Sequence, residues 1–190
     1  LLETLAGSLS AALENARLFN QTQRLLNEAE QRNAELGVIN SLQQVLVSKL
    51  DFQSIIDLIG DKVGEIFDAQ VTLISLYYPA NGEMHHRYIN ERGVRMYYDE
   101  PMPVDGFRKH VLETKQTLLI SRDYLKIAEE LGEEPASAGE APKSLLFVPM
   151  VVNGQVTGIM SLQNLDRENA FQESDTKLLS TIAASLSAAL

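Results

Sequence analysis

Residues 144–165 read SLLFVPMVV, Asn153-Gly154, QVTGIMSLQNL. Asn-Gly tolerates the positive φ angles of a type I′ turn, so the two flanking runs are expected to form a β-hairpin. The first run is apolar at nearly every position, and the second carries Ile159, Met160 and Leu162 without strict alternation. A strand with one face in water alternates apolar and polar residues; one that does not alternate must be covered on both faces. The rest of the chain therefore has to supply a layer on each side of a sheet.

Helical segments are available for both layers. FQSIIDLIGDKVGEIF carries Phe52, Ile55, Ile56, Ile59, Val63 and Phe67 at helical spacing, with Asp51 placed to cap its start. AQVTLISLYY is β-branched and aromatic and reads as a strand. Pro79 to Gly82 makes a turn, and MHHRYIN is a second strand. GVRMYYDEPMPV is irregular, with two prolines. GFRKHVLETK is a short helix, QTLLI a brief strand, and DYLKIAEEL another short helix capped by Asp123. The stretch Gly132 to Pro142 is small, acidic and turn-rich and is expected to be a mobile surface loop. The expected class is α+β: a central antiparallel sheet between entry and exit helices on one face and a helical and loop layer on the other.

A long helix is expected ahead of this unit. Residues 1–50 have no proline and are rich in helix formers. Leu2, Leu5, Leu9, Ala12, Ala16 and Phe19 make one narrow apolar stripe, and Leu25, Ala29, Leu36, Ile39, Leu46 and Leu50 a second, with a change of phase around Asn20 to Arg24. A narrow stripe is most simply buried by a symmetry mate, so a coiled-coil homodimer through the terminal helices is expected. Leu1 to Leu13 also repeats at Leu178 to Leu190, with ten of thirteen positions identical. Such a repeat is expected of a piece cut from a tandem array, its first helix being the tail of an upstream unit.

Composition removes several functional classes. The net charge is −10 and the pI about 4.8, which disfavours phosphate backbones and anionic membrane surfaces. Neither nucleic-acid binding nor direct membrane contact is expected. There is no cysteine, hence no disulfide, thiolate nucleophile or thiolate metal site; a reducing cytoplasm is the expected location. His85 and His86 are neighbours on a strand and point to opposite faces, and His110 stands alone on a helix. No nucleophile–base pair or metal-ligand spacing is evident, so no enzymatic activity is expected.

The order of these elements resembles a GAF domain, a small-molecule sensor module of signalling proteins. The resemblance is carried by the entry helices between Gly37 and Phe67, by VTLISLYY, and by VDGFRKHVLETKQTLLIS. The hairpin with Pro149 and Gly158, then Phe171, Asp175 and the exit helix, complete it. It covers residues 36–190, with 1–35 as a connecting helix. It implies a ligand pocket between one sheet face and the segments inserted between strands. Polar and aromatic groups densest in that region are Tyr88, Arg92, Arg95, Tyr97, Tyr98, Asp105, Phe107, Arg108, Ser121, Asp123 and Tyr124. Arg92 and Arg95 are candidates to hold an anion; the alternative is that they are solvated loop residues and that Tyr97 and Tyr98 cover the sheet. The cyclic-nucleotide branch of the family carries a motif that Asn164, Phe171 and Asp175 match, while Leu165 and Thr176 replace its lysine and glutamate. The alternative for Asn164 and Asp175 is a loop and helix-cap role. The sulfoxide-reducing branch, and bilin attachment through a thiol, both use cysteine. The resemblance implies an output domain in cis, such as a histidine kinase or nucleotide cyclase. The ligand and any cofactor are left unknown, and a ligand-free dimerisation spacer is the rival reading.

Overall fold

The computed structural model describes residues 52–133 and 140–189, together with Arg17, Leu18, Gln21, Gln23, Arg24 and Gly37. The chain divides into two compact units, Leu1–Gln43 and Gln44–Leu190. The six described residues of the first unit are helical and exposed. The paired stripes, the cap at Asp51 and most of the Gly132 to Pro142 loop lie outside the described residues.

In the second unit, α1 (Phe52–Phe67) is followed by β1 (Val71–Tyr78), β2 (Glu83–Glu91) and β3 (Val94–Arg95). Next come α2 (Gly106–Thr114), β4 (Leu118–Ile120) and α3 (Tyr124–Leu131). The hairpin β5 (Ser144–Val152) and β6 (Gln155–Asn164) and the helix α4 (Glu173–Ala189) complete the unit. The strands make one antiparallel sheet in the order β3-β2-β1-β6-β5-β4. The hairpin turns through Asn153 (φ 51°) and Gly154 (φ 77°), and Val152 pairs with Gln155 across it. The turn is the one that Asn-Gly predicts.

Helices cover both faces of the sheet, with α4 over the hairpin and α1 over β1 and β2. α1 and α4 pack on one face, burying Ile56, Ile59, Val63, Leu179, Ile182 and Leu186. Phe107 and Val111 of α2 and Ala128 of α3 bury against Leu145, Phe147, Ile159 and Met84 on the other. Alternation along β1 and β2 assigns the remaining side chains. Tyr88 pairs with Ile74 and its ring lies over Gly60 of α1, so both strands present these residues to α1. Ser75 and His86, paired with each other beyond a bulge at Ile74/Ser75, point to the far face.

The helix ends differ from expectation in one respect. Asp123 stands at the start of α3 in a left-handed conformation (φ 56°) and makes no side-chain cap bond. At α4 half of a capping box is present: Asp175 Oδ2 accepts from the Gln172 N–H (2.8 Å), and the Thr176 N–H donates the first helical bond to the Gln172 carbonyl.

Gly158 sits where β6 passes closest to β1. A Cβ there would press on the Ser75 carbonyl and lie 3.1 Å from Met150 Sδ and 3.3 Å from Leu76. Backbone cannot move aside as a side-chain tip can, so Gly158→Ala should cost about 1–3 kcal/mol in chemical denaturation. Parent-like stability of that variant would contradict this packing.

Candidate functional site

The far face of the sheet has two halves. Over β4 and β5 it is apolar: Phe107 lies edge-on to Tyr124 (5.8 Å between ring centroids) and 6.0 Å from Phe147. Beside Met84, at Ser75 of β1 and His86 of β2, it turns polar. Ser75, 5 % exposed, shares a 2.7 Å hydrogen bond with His86 Nδ1. The exposed ring of Tyr98 stands edge-on to His86, at 6.4 Å.

Electrostatics hold His86 neutral. Burial of the imidazole, and then the charge of Arg108, pull its pKa from 6.5 down to about 4. When Ser75 donates to Nδ1, the ring proton resides on Nε2, and the imidazole presents that N–H as a hydrogen-bond donor.

Arg108 belongs to a second polar group at the start of α2. Its Nη1 lies 3.5 Å from Asp105 and 3.7 Å from Glu133. Asp105 caps α2 by position but makes no side-chain cap bond. Glu133 supplies that acceptor from a distance, taking the Phe107 N–H at 2.8 Å. The Glu133 side chain fills the space above Gly106, where a Cβ would collide with it, and Gly106 has φ 44°. Burial raises the Glu133 pKa, against the opposing pull of the Phe107 amide and Arg108. Burial likewise raises that of Tyr124, with help from Glu133. Polar side chains therefore follow one another from His86, beside Tyr98, to Arg108, Glu133 and Tyr124, linked by a ring contact and by charge.

The expected site residues divide into groups. Tyr98, Asp105, Phe107, Arg108 and Tyr124 belong to this patch or border it. Tyr88 and Arg95 lie on the opposite face against α1, so they do not converge with Phe107. The Tyr88 hydroxyl donates to Asp61 (2.7 Å), and the Arg95 guanidinium stacks 3.7 Å from the Tyr88 ring centre. Arg92 follows β2, 3.0 Å from Asp166 and 3.6 Å from Glu140. Tyr97 is 79 % exposed. The Ser121 carbonyl accepts from Asn169 N–H. Asp123 and Tyr124 border an open groove of about 440 Å³, with Leu125, Pro142 and Lys143 on its walls.

The three residues of the partial cyclic-nucleotide motif all have work inside the fold. Asn164 is fully buried, and its Oδ1 accepts from the Asp166 and Arg167 amides (3.1 and 2.9 Å). Phe171 is buried, and Asp175 caps α4. Ser75, His86 and Glu133 are additions that the chain pattern did not select. Ser75 had a signal: a small hydroxyl between Ile74 and Leu76, facing away from the helix that Ile74 packs against. Glu133 had none, being one more acid in an acidic stretch.

Residues 51–190 match the family model for the GAF domain, and the chain belongs to that family. Among solved structures, it is similar to the GAF domain of a phosphoenolpyruvate-protein phosphotransferase from Acinetobacter. The TM-score is 0.69 at 19% identity, covering 83% of this chain and 92% of that one. It is also similar to a free methionine-R-sulfoxide reductase from Neisseria meningitidis, with TM-score 0.66 at 14% identity, covering 82% and 87%. A third is residues 122 to 287 of a methyl-accepting chemotaxis protein, with TM-score 0.61 at 15% identity, covering 78% and 93%. At these identities the likeness establishes the fold. No curated protein matches the sequence. Among the described residues, no helix is long and apolar enough to cross a membrane, and no acid–histidine cluster is arranged to hold a metal ion.

The His86 environment has a measurable consequence. Its folded pKa lies below its unfolded one, so the unfolded chain binds the proton first as pH falls. Stability from this group is complete above pH 6.5 and is lost between 6.5 and about 4, by up to roughly 3 kcal/mol. Unfolding titrations of parent and His86→Gln should converge across that window as the parent loses its advantage. A pH-independent difference would contradict a neutral, half-buried His86.

Proposed function

We propose that this GAF domain is the regulatory sensor of a multidomain signal-transduction protein. It binds a small molecule over the polar half of the far sheet face. The observation that carries this reading is the Ser75–His86 pair beside the apolar cluster of Met84, Phe107 and Phe147, with Tyr98 against the imidazole and Arg108 near enough to act on it. A partly buried imidazole is costly unless its ring nitrogens are hydrogen-bonded, and the Ser75 bond accounts for Nδ1 alone, which leaves Nε2 for a ligand. An aromatic wall with a few fixed polar groups is how small-molecule sites are ordinarily built.

In this reading His86 Nε2–H donates to a ligand acceptor, Tyr98 covers it, and Arg108 sets the local field. Arg92, Arg95 and Arg108 all face carboxylates, but Arg108 alone does so near His86, so an anion held by Arg92 or Arg95 receives no support. A cyclic nucleotide stays among the candidate ligands through Arg108, without help from Asn164, Phe171 or Asp175. The domain acts by binding and not by catalysis: it has no cysteine for the thiol chemistry of the sulfoxide-reducing branch. Ligand binding shifts the packing of the terminal helices, which pair in a cytoplasmic homodimer. They pass the change to an output domain in cis, such as a histidine kinase, a nucleotide cyclase or another effector.

One observation favours a second reading, a ligand-free dimerisation spacer. Phe107, Tyr124 and Phe147 already fill the apolar half of the far face.

A thermal-shift screen of nucleotides, cyclic nucleotides, nucleobases and small carboxylates separates the two. The sensor reading expects a stabilising compound whose affinity falls about tenfold or more in His86→Ala, the loss of one buried hydrogen bond. A blank screen, or a hit indifferent to His86, leaves the spacer. Light scattering of the whole chain should give twice the monomer mass; a monomer at high micromolar concentration would remove the dimeric arm of the mechanism.

A further inference from the structure

Arg95 lies in β3, a strand of two residues at the edge of the sheet. Asn90–Arg95 and Glu91–Val94 pairing holds it to β2, and Met96 N–H adds a bond to the Ile89 carbonyl (3.0 Å). So short an edge strand is tied by few backbone bonds and can shift without unfolding the sheet. Its side chains anchor it on both faces. Arg95 crosses to the α1 face, stacks on Tyr88 at 3.7 Å, and lies 3.3 Å from Asp57 and 3.5 Å from Asp61 of α1. Asp61 also accepts the Tyr88 hydroxyl, while Gln53 of α1 donates to Asp57 (2.9 Å) and to the Arg87 carbonyl (2.7 Å). Three residues beyond Arg95, Tyr98 rests against His86 on the opposite face. The segment from Arg95 to Tyr98 thus wraps the sheet edge, with one end on α1 and the other on the candidate site.

The α1 end is imperfectly satisfied. Arg95 Nη1 is buried and makes no hydrogen bond, although Asp57 Oδ1 is within ion-pair distance. Attraction without alignment leaves a group whose energy changes steeply with small displacements, since a buried donor either gains its acceptor or is left without one. Coupling between two sites requires an element with two arrangements that both sites bias. The edge segment meets that description.

We propose that Arg95 is the positioning residue that couples the far face to α1: movement of Tyr98 shifts β3, and the Arg95 clamp on Tyr88, Asp57 and Asp61 passes that shift to the helix. The purpose of this coupling rests on the sensor reading, but its measurement needs no ligand.

Hydrogen exchange on the whole chain tests it in four proteins: parent, Tyr98→Ala, Arg95→Met and the double variant. Tyr98→Ala, a change on the sheet face opposite α1, is expected to lower protection of the α1 amides about fivefold or more. Arg95→Met should lower it as well, and the double variant should go no further than Arg95→Met alone. Unchanged protection in β5, β6 and α4 reports an intact fold, which a general loss of stability would not spare. Protection of α1 untouched by Tyr98→Ala, or effects that add in full, overturns the proposal. Should Arg95→Met fail to fold, Arg95→Lys, which keeps the charge and loses the planar stack, takes its place with the same criteria. A blank ligand screen with non-additive exchange counts against the sensor reading alone; a ligand hit with additive exchange counts against the coupling alone.

Discussion

The two-faced burial of β5 and β6 governs this molecule. These strands carry apolar side chains both ways, so Leu146, Val148, Met160 and Leu162 need a cover on one side, and Leu145, Phe147 and Ile159 another. The chain provides the first with α1 and α4, which lie at the two ends of the folded unit and can stack as one layer. The second comes from α2 and α3, which are short because they sit in the connection between β3 and β5. Short helices cannot roof six strands. They cover β5, β6 and Met84 of β2, and Ser75 and His86 lie at the margin of that cover. The candidate site forms where this apolar cluster meets those two polar side chains.

That geometry gives the two helical layers different uses. The α1–α4 layer is continuous and tightly buried, which suits a structural support. The α2–α3 layer is held in part by polar contacts: Glu133 to the Phe107 amide, and Arg108 between Asp105 and Glu133. Such contacts respond to local charge and hydration as aliphatic packing does not. Arg95 and Tyr88 then bring one polar clamp into the otherwise aliphatic helix layer, at the edge where the two faces are nearest along the chain.

Much of this was legible in the residues. Asn153-Gly154 gives the turn and, with the apolar runs beside it, the central pair; the spacing of Ile56, Ile59, Val63 and Phe67 gives α1 to its last residue. The adjacency of His85 and His86 gives their opposite faces. What was not legible depends on register. Tyr88 and Phe107 look alike as aromatic residues near the inserted segments, yet a bulge at Ile74/Ser75 and the pairing of Tyr88 with Ile74 turn Tyr88 towards α1. A strand's period is two, so a single bulged residue exchanges faces for everything beyond it. The arginines were equally ambiguous. Arg92, Arg95 and Arg108 lie within one stretch of chain, but each finds its carboxylates on a different part of the fold. Asp123 fits the pattern of a cap, and the left-handed backbone there gives it a different geometry.

The account turns on the polar half of the far face being where a small molecule binds. Shift mapping by nuclear magnetic resonance addresses that directly, with the isotope-labelled chain exposed to a mixture of cellular small molecules. The account predicts shifts centred on the His86 imidazole and on the Ser75, Tyr98 and Arg108 backbone, with weaker ones following along β3 into α1. Shifts confined to the groove by Leu125 and Pro142, or a His86 resonance unmoved by every compound that binds, would contradict it.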